Sequence, residues 1–398
     1  MRWWQTGEFP LIRHQRVRPE NWEHDVVLKS TRGHAGWRRV RRVLDSRVVT
    51  ALTAPHGVDR YLGLLNPLWS VSEVRAVVVG VVRHTPDSVT LTLRPNGNFT
   101  DAKAGQYVRL AVEIDGVRRT RCFSLASSAH RADGLIELTA KVNPNGTVTR
   151  YLQRAARPGL VVALSQAEGE FVLPPELPEH ILLISGGSGV TPVMSILRTL
   201  LDERYPGRIT FLHYATGPEN VIYRDELAAL AASNPRLRLL HTYPRLPGVG
   251  PLEGRFGPEH LGVCAPDYAE ALCYVCGPAS LMDAVGTLWG ARGIGNRLRV
   301  ERFTSPASVT GAGTAVGEIR FTRSGISVRN DGRTLLEQAE SAGLRPDHGC
   351  RMGICHTCTS VKSDGSVRNV VSGVVSAEPC ERVQLCISAA CGDVELDI

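Results

Sequence analysis

The chain has 398 residues, a formal net charge of +7, 43% hydrophobic and 21% charged residues, an ordinary composition for a folded protein of two to three domains. No run of about eighteen apolar residues occurs, and Met1–Pro10 lacks the positive-then-apolar layout of a secretory signal, so neither a membrane span nor export is expected. The charge is uneven: residues 1–50 carry 10 Arg and 1 Lys against 5 acidic residues, a net of +6, and residues 317–398 carry 9 basic and 11 acidic residues, a net of −2, which argues against one continuous nucleic-acid surface.

In chain order, residues 1–36 mix Arg, Trp, Pro and His without periodicity and are expected to be poorly ordered. Residues 37–52 place Trp37, Val40, Val43, Leu44, Val48 and Leu52 near helical spacing between arginines, a short basic amphipathic helix. Such a helix packs on the next domain or lies on a membrane surface, and packing is the preferred reading. Residues 1–73 are thus a basic extension. Residues 74–175 alternate in Val74–Val82, Val89–Leu93, Tyr107–Ile114 and Leu135–Val142, punctuated by Pro, Gly, Asn and Asp, which predicts an all-β barrel or sandwich, with an antiparallel β-barrel as the expected class.

Within it, Arg121-Cys-Phe-Ser124 follows a strand and precedes Leu125. Arg121 can clamp a phosphate, Phe123 can stack on a flavin, and the Ser124 hydroxyl can hydrogen-bond near its N5. Asn145-Gly-Thr-Val-Thr149 opens a predicted helix over Thr149–Ala155, so the backbone of Gly146, Thr147, Val148 and Thr149 offers N–H groups to a phosphate; the plain alternative is a turn with an N-cap.

Residues 176–303 alternate strand and helix, the pattern of a parallel α/β sheet: strands Ile181–Ser185, Ile209–Tyr214 and Ala271–Cys276, helices Val193–Asp202 and Arg224–Ser233. Between the first strand and helix lies Ser185-Gly-Gly-Ser-Gly-Val-Thr-Pro192, whose Gly187, Ser188, Gly189, Val190, Thr191 and Pro192 form a turn that admits a pyrophosphate. His213-Tyr-Ala-Thr216 ends the second strand with no acidic residue to hold a ribose 2′-hydroxyl, which disfavours NAD. Arg224 could meet a 2′-phosphate, so NADPH is preferred over NADH; a solvated helix-start arginine is the alternative. Cys122, Cys264, Cys273 and Cys276 read from the residues alone as small buried hydrophobes. Residues 304–316 are small and nearly uncharged, a flexible linker.

Residues 317–398 begin with strands Glu318–Thr322 and Ile326–Arg329 and a helix over Leu335–Ala342. They hold six of the ten cysteines. Cys350-x4-Cys355-x2-Cys358 with a further Cys downstream is the plant-type [2Fe–2S] spacing: two irons need four thiolates, and one tight loop delivers three. Cys380 in a probable turn, Cys391 in a Cys-Gly-Asp turn and Cys386 in the apolar run Val383–Ile387 could each complete the set. Cys386, suited to a strand that buries a thiolate, is preferred. Structural zinc uses paired Cys-x2-Cys or Cys/His sets, and this stretch has one Cys-x2-Cys; His356 reads as a bystander.

The string His348-Gly-Cys-Arg-Met-Gly-Ile-Cys-His-Thr-Cys358 with Val383-Gln-Leu-Cys386 resembles the plant-type ferredoxins fused to flavoprotein reductases. That resemblance implies a β-grasp fold for 317–398 and the ligand set Cys350, Cys355, Cys358 and Cys386. The Arg-x-Phe-Ser string, Gly169-Glu-Phe171, the glycine turn and Cys276-Gly-Pro278 resemble the ferredoxin–NADP reductase superfamily, with Phe123 where that family has Tyr, which keeps stacking and loses a phenol hydrogen bond. By resemblance Gly277 and Pro278 contact the nicotinamide cofactor, Cys276 sits near the nicotinamide C4, and Phe303 of Glu301-Arg-Phe303 lies at the flavin face, so Ser124, Cys276, Glu301 and Phe303 are the expected catalytic residues. FAD is expected, with FMN as alternative. The domain order is similar to reductase components of oxygenases and of membrane acyl-lipid desaturases, and Leu52-Thr-Ala-Pro55…Tyr61-Leu…Asn66-Pro-Leu-Trp69 resembles the lead-in of actinobacterial acyl-CoA desaturase reductases. The family implies an NAD(P)H-dependent reductase that passes electrons to a desaturase or oxygenase iron; a cytoplasmic monomer is expected, and the charge of the basic arm allows peripheral membrane contact as the alternative to packing. A reductase for a soluble ring-hydroxylating or diiron oxygenase is one alternative; a non-catalytic metal-binding adaptor on a reductase-like scaffold is the other.

Overall fold

The computed structural model describes Thr53 and residues 57–143, 146–303, 316–349, 351, 353 and 356–398. The expected helix over 37–52, Asn145, most of the 304–316 linker, and Cys350 and Cys355 lie outside the described residues. The first described element is a helix the sequence did not suggest, α1 (Val58–Leu65), which buries none of its residues.

A six-stranded antiparallel sheet follows, built from β1 (Val74–Val82), β2 (Ser88–Pro95), β3 (Tyr107–Ile114), β4 (Val117–Ser124), β5 (Ile136–Lys141) and β6 (Val161–Leu164) in the order β4-β3-β6-β1-β2-β5. Leu125 pairs with Leu138 in an isolated bridge, bringing the end of β4 back to β5 and curling the sheet into a barrel. Alternation in β1, β2 and β3 sends Val78, Leu91, Leu93, Val108 and Leu110 to its interior. Helix α2 (Thr147–Ala155) plugs one side with Val148 and Leu152.

A five-stranded parallel sheet comes next: β7 (His180–Gly186), β8 (Arg208–Tyr214), β9 (Leu237–Thr242), β10 (Leu272–Cys276) and β11 (Leu298–Glu301), in the order β11-β10-β7-β8-β9. Strand β7 is buried at every position, as a central strand covered on both faces must be. Helices α3 (Val190–Asp202), α4 (Arg224–Ser233), α5 (Pro258–Cys264) and α6 (Ala279–Ala291) pack around it. The barrel and this domain share one core, in which Ala104, Ala126 and Phe171 meet Ile196, Phe211 and Tyr274.

The C-terminal sheet joins β12 (Glu318–Phe321), β13 (Ile326–Arg329), β14 (Thr359–Asn369), β15 (Val375–Ser376) and β17 (Ser388–Leu396) in the order β13-β12-β17-β14-β15, with β16 (Glu381–Gln384) also on β14. Strands β12 and β17 run parallel and the other pairs antiparallel, around helix α7 (Leu335–Ser341), a β-grasp arrangement. Thr334 and Glu337 form a capping box that starts α7. The expected classes therefore stand: antiparallel barrel, parallel α/β sheet and β-grasp.

Candidate functional site

The parallel sheet aligns its carboxyl ends, and its register sets a row of polar side chains across them. Glu301 pairs with Cys276, Cys276 with Ser185, Ser185 with His213, and His213 with His241. Ser185 Oγ lies 2.7 Å from His213 Nδ1. Burial, with help from His241, holds His213 neutral by lowering its pKa to about 3. The Cys276 thiol is fully buried and pushed well above its usual range by that burial, then by the neighbouring Glu301 carboxyl, so it is a neutral packing group.

At the β11 end the row meets the barrel. Ser124 Oγ donates to Glu301 Oε2 at 3.1 Å, joining the two domains through residues 177 positions apart. Glu301 keeps some exposed surface, but its carboxyl group lies deep, and desolvation raises its pKa to about 8 against a smaller lowering by the Ser124 bond. It therefore holds a proton at neutral pH.

The glycine turn lies beside this row. A Cβ on Gly189 would overlap the carbonyl oxygen of Cys276, so only glycine lets the turn close onto the end of β10. The two loops, Gly187–Ser188 and Gly277–Pro278, border a cleft of about 770 Å³ that Tyr214, Thr216 and Phe303 also line. Its size and its wall of backbone at a helix start suit a dinucleotide. Val190, Thr191 and Pro192 are themselves buried in the first turn of α3, so they shape the turn, and the Val190 N–H closes it onto the Gly187 and Ser188 carbonyls.

On the barrel, Arg121 and Phe123 lie inside β4, and Leu125 is buried just beyond it. Phe123 is half-buried against the barrel core. Helix α2 starts at Gly146 with no side-chain cap and no acidic residue in its first turn, leaving its backbone N–H groups for an anion. Thr149 Oγ1 instead accepts from the Asn143 backbone N–H at 3.2 Å, and Val148 is buried, so side chains there shape the loop. A guanidinium, an open aromatic and an uncapped helix start fit a flavin nucleotide.

In the β-grasp domain, Cys358 and Cys386 are buried in one core. The Leu385 N–H donates to the Cys358 carbonyl at 3.1 Å, locking their backbones together. Gly353 has φ +77° and a Cβ there would come 2.5 Å from Ile387, so the loop can lie this close only with glycine. Gln384 Nε2 donates to the Gly353 carbonyl at 2.6 Å. Cys380 and Cys391 are exposed. Buried sulfur atoms under a loop held by its backbone fit a cluster. That loop also reaches the barrel: Arg121 Nη1 donates to the Gly349 carbonyl at 3.4 Å.

Three family models match in the order of these sites: an oxidoreductase FAD-binding domain over residues 81–173, an oxidoreductase NAD-binding domain over 183–287 and a 2Fe-2S iron-sulfur cluster binding domain over 319–391. A Mycobacterium tuberculosis protein described as an NADPH oxidoreductase is 39% identical over 92% of this chain and 93% of its own length. The chain belongs to the modular flavin and iron–sulfur oxidoreductases of the ferredoxin–NADP reductase superfamily. The glycine betaine monooxygenase reductase subunit of Pseudomonas aeruginosa is 30% identical over 74% of this chain and 87% of its own. Phthalate dioxygenase reductase shares the fold, with a TM-score of 0.52 at 22% identity over 82% of this chain and 98% of that one. This oxidoreductase uses FAD, NAD(P)H and a [2Fe–2S] cluster.

Several residues of the reductase lie elsewhere than expected. Arg121–Ser124 are part of a strand rather than following one. Cys386 sits in a 3-10 turn, Leu385–Ile387, just past β16, and Cys391 lies within β17 rather than in a turn. Cys264 and Cys273 are buried as expected, whereas Cys122 is half-buried. Arg224 is exposed at the start of α4, and the cations that line the cleft are Lys141, Arg245 and Arg255. Arg245 and Arg255 stand on an irregular Pro/Gly-rich loop, where no periodicity marks them; their charge in a stretch poor in acids was the one available signal.

Proposed function

We propose that the chain is the reductase component of an iron oxygenase system, taking reducing equivalents from NADPH and delivering them one at a time to a partner protein. When bound, the FAD accepts a hydride and the cluster carries single electrons onward. The observation that carries this is strand β4: its Ser124 touches Glu301 beside Cys276, and its Arg121 touches Gly349 at the cluster loop. One strand thus stands between the nicotinamide cleft and the cluster.

In this reading Arg121 and the α2 start at Gly146 and Thr147 hold the flavin phosphate, and Phe123 packs on its ring system. Gly187, Ser188, Gly189, Gly277 and Pro278 seat the pyrophosphate and nicotinamide. Cys276 packs near the reacting carbon, Phe303 covers the face the nicotinamide enters, and Ser124 with protonated Glu301 holds a proton at the flavin edge. Cys350, Cys355, Cys358 and Cys386 hold the cluster; the burial of Cys386 against Cys358, beside exposed Cys380 and Cys391, supports that choice of fourth ligand.

The oxygenase acceptor is supported by relatives described as a glycine betaine monooxygenase reductase subunit and a 3-ketosteroid-9-alpha-monooxygenase ferredoxin reductase component. A membrane acyl desaturase is the second reading. It is favoured by α1, which leaves Leu64 and Leu65 78% and 77% exposed beside the half-exposed Trp69, in a chain whose first fifty residues are strongly basic. Retention of the full-length protein on phosphatidylglycerol vesicles supports that reading, and its absence removes it. Among the described residues no helix is long and apolar enough to cross a membrane.

The decisive experiment is anaerobic addition of NADPH to the purified holoprotein. Flavin absorption should bleach and the cluster bands follow; a protein whose spectrum does not change ends the proposal. NADPH should exceed NADH in kcat/KM, and Arg245→Ala or Arg255→Ala should narrow that ratio by about tenfold if they meet the 2′-phosphate. An unchanged ratio in both, with narrowing in Arg224→Ala, returns that role to Arg224.

A further inference from the structure

The cleft at the carboxyl ends of the parallel sheet has two unlike ends. The strand order β11-β10-β7-β8-β9 sets Glu301 and Cys276 toward one end and Tyr214 of β8 toward the other. A dinucleotide whose nicotinamide lies by Cys276 therefore puts its adenosine over β8 and β9. The wall there is residues 243–257, a stretch with neither helix nor strand that brings Arg245, Arg255 and Phe256 to the cleft. Between Arg245 and Arg255 only Leu252 is buried. With so little core burial, the position of this loop depends on its hydrogen bonds.

One of those bonds leads to His260, a buried residue of α5 that does not itself line the cleft. Its Nε2 lies 2.8 Å from the Glu253 carbonyl oxygen, and its Nδ1 lies 2.7 Å from Tyr214 Oη. A carbonyl only accepts, so Nε2 carries the hydrogen. In the neutral ring Nδ1 is then the acceptor, and the Tyr214 hydroxyl donates to it. The two rings stack with 17° between their planes, and Phe256 stands edge-on to both. Glu253 Oε1 in turn accepts from the Gly248 N–H at 3.0 Å. One imidazole thus ties the cleft wall at Tyr214 to the loop between Arg245 and Arg255.

We propose that His260 is a positioning residue for cofactor choice: through Tyr214 and the Glu253 carbonyl it holds residues 243–257 so that Arg245 and Arg255 meet a dinucleotide bearing a 2′-phosphate. The inference rests on the proposed use of NADPH and adds the residue that sets the geometry of that preference. The two arginines are exposed and long, and a charge-assisted grip on a phosphate needs their backbone held at a fixed distance from it. His260 supplies that hold from beneath the cleft and acts only through them. NADH, which has no 2′-phosphate, draws nothing from the arrangement.

The test measures kcat and KM for NADPH and for NADH in the full-length holoprotein, with ferricyanide as electron acceptor. His260→Phe keeps a ring in the stack and removes both hydrogen bonds. Tyr214→Phe keeps the ring that lines the cleft and removes the hydroxyl alone, so one variant remains if the other fails to fold. KM for NADPH should rise about tenfold in His260→Phe and about threefold in Tyr214→Phe, while kcat and the KM for NADH stay within about twofold. The double variant should be no worse than His260→Phe, because the two side chains share one bond. A KM for NADPH that stays within about twofold of wild type in both single variants, while Arg245→Ala or Arg255→Ala raises it, overturns the positioning role and leaves the NADPH site standing. Equal losses with NADPH and NADH also overturn it, since they report general damage to the cleft. An NADPH/NADH ratio unchanged in both arginine variants takes the 2′-phosphate away from this loop, and the role of His260 falls with it.

Discussion

The junction between barrel and nicotinamide domain is built unlike the junction between barrel and β-grasp domain. At the first, side chains of both domains fill one core, and Arg198 of α3 crosses to donate to Glu137 Oε2 and the Ala126 carbonyl, both at 2.7 Å, while also gripping Glu226 and lying 5.0 Å over the Tyr223 ring. Ser195 Oγ donates to the Ser127 carbonyl at 2.7 Å, and Tyr274 reaches the Val172 carbonyl at 2.8 Å. At the second, the described hydrogen bond runs from Arg121 to Gly349 at 3.4 Å, the long end of the range. The chemistry on each side accounts for the contrast. A hydride moves only between atoms held in contact and aligned, so its donor and acceptor sites need a fixed frame. An electron tunnels, and tolerates a looser approach.

The strongest way to break this comparison is to remove the electron side alone. Cys386→Ser should abolish the cluster, with iron and sulfide lost from the purified protein and cytochrome c reduction at background, while NADPH–ferricyanide activity persists because the rigid pair is untouched. Cys380→Ser and Cys391→Ser, at exposed positions, should keep the cluster. Cluster retention in the Cys386 variant would move the fourth ligand elsewhere.

Next in size is the rigid side. Burial pushes the Glu137 carboxyl up, but Arg198 and Arg131 outweigh it and leave it below its ordinary value. Arg198→Met leaves Glu137 in the junction with Arg131 as its remaining cation, and should cost about 2 kcal/mol, or roughly 4–8 °C in the thermal transition of the barrel–nicotinamide pair. The cluster spectrum should be unaffected. A group with a lowered pKa contributes stability that is present above its unfolded value and is lost as pH falls through the folded one. The wild type should therefore lose its advantage over Arg198→Met below about pH 4.5, the ordinary value of the carboxyl. A variant as stable as wild type would mean that the shared core alone sets the frame.

The same contrast decides what the sequence made legible. Val74–Val82, Tyr107–Ile114, Arg224–Ser233 and Ile326–Arg329 were read with their observed bounds, since periodicity and punctuation are local. The cysteine loop was legible for the same reason. Strand β4 was not: Val117-Arg-Arg-Thr-Arg-Cys-Phe-Ser has no alternation, its first three residues are exposed, and it is a strand because eight residues pair with β3. The polar row from Glu301 to His241 was invisible because it exists only through parallel register, and the Ser124–Glu301 bond because its ends meet across a domain junction. Local chemistry can be read along the chain; the fixed frame around it is tertiary.

Glu301 sharpens the comparison at the smallest scale, since it belongs to the α/β sheet and bonds to the barrel. Its pKa is raised to about 8, chiefly by desolvation, so between the ordinary carboxyl value and about 8 the folded protein holds a proton that the unfolded chain has released. Stability must then fall as pH rises through that window. Glu301→Gln, neutral at every pH, should gain in thermal stability over wild type across the same window and hold a constant gain above it. If the proton on Glu301 serves reduction of the flavin, the NADPH–ferricyanide rate of the wild type should decline as pH passes about 8, and the glutamine variant should show a lower, flat profile without that inflection. A variant whose stability tracks wild type at all pH values would place the carboxyl in water, with Ser124 as an incidental neighbour rather than part of the frame.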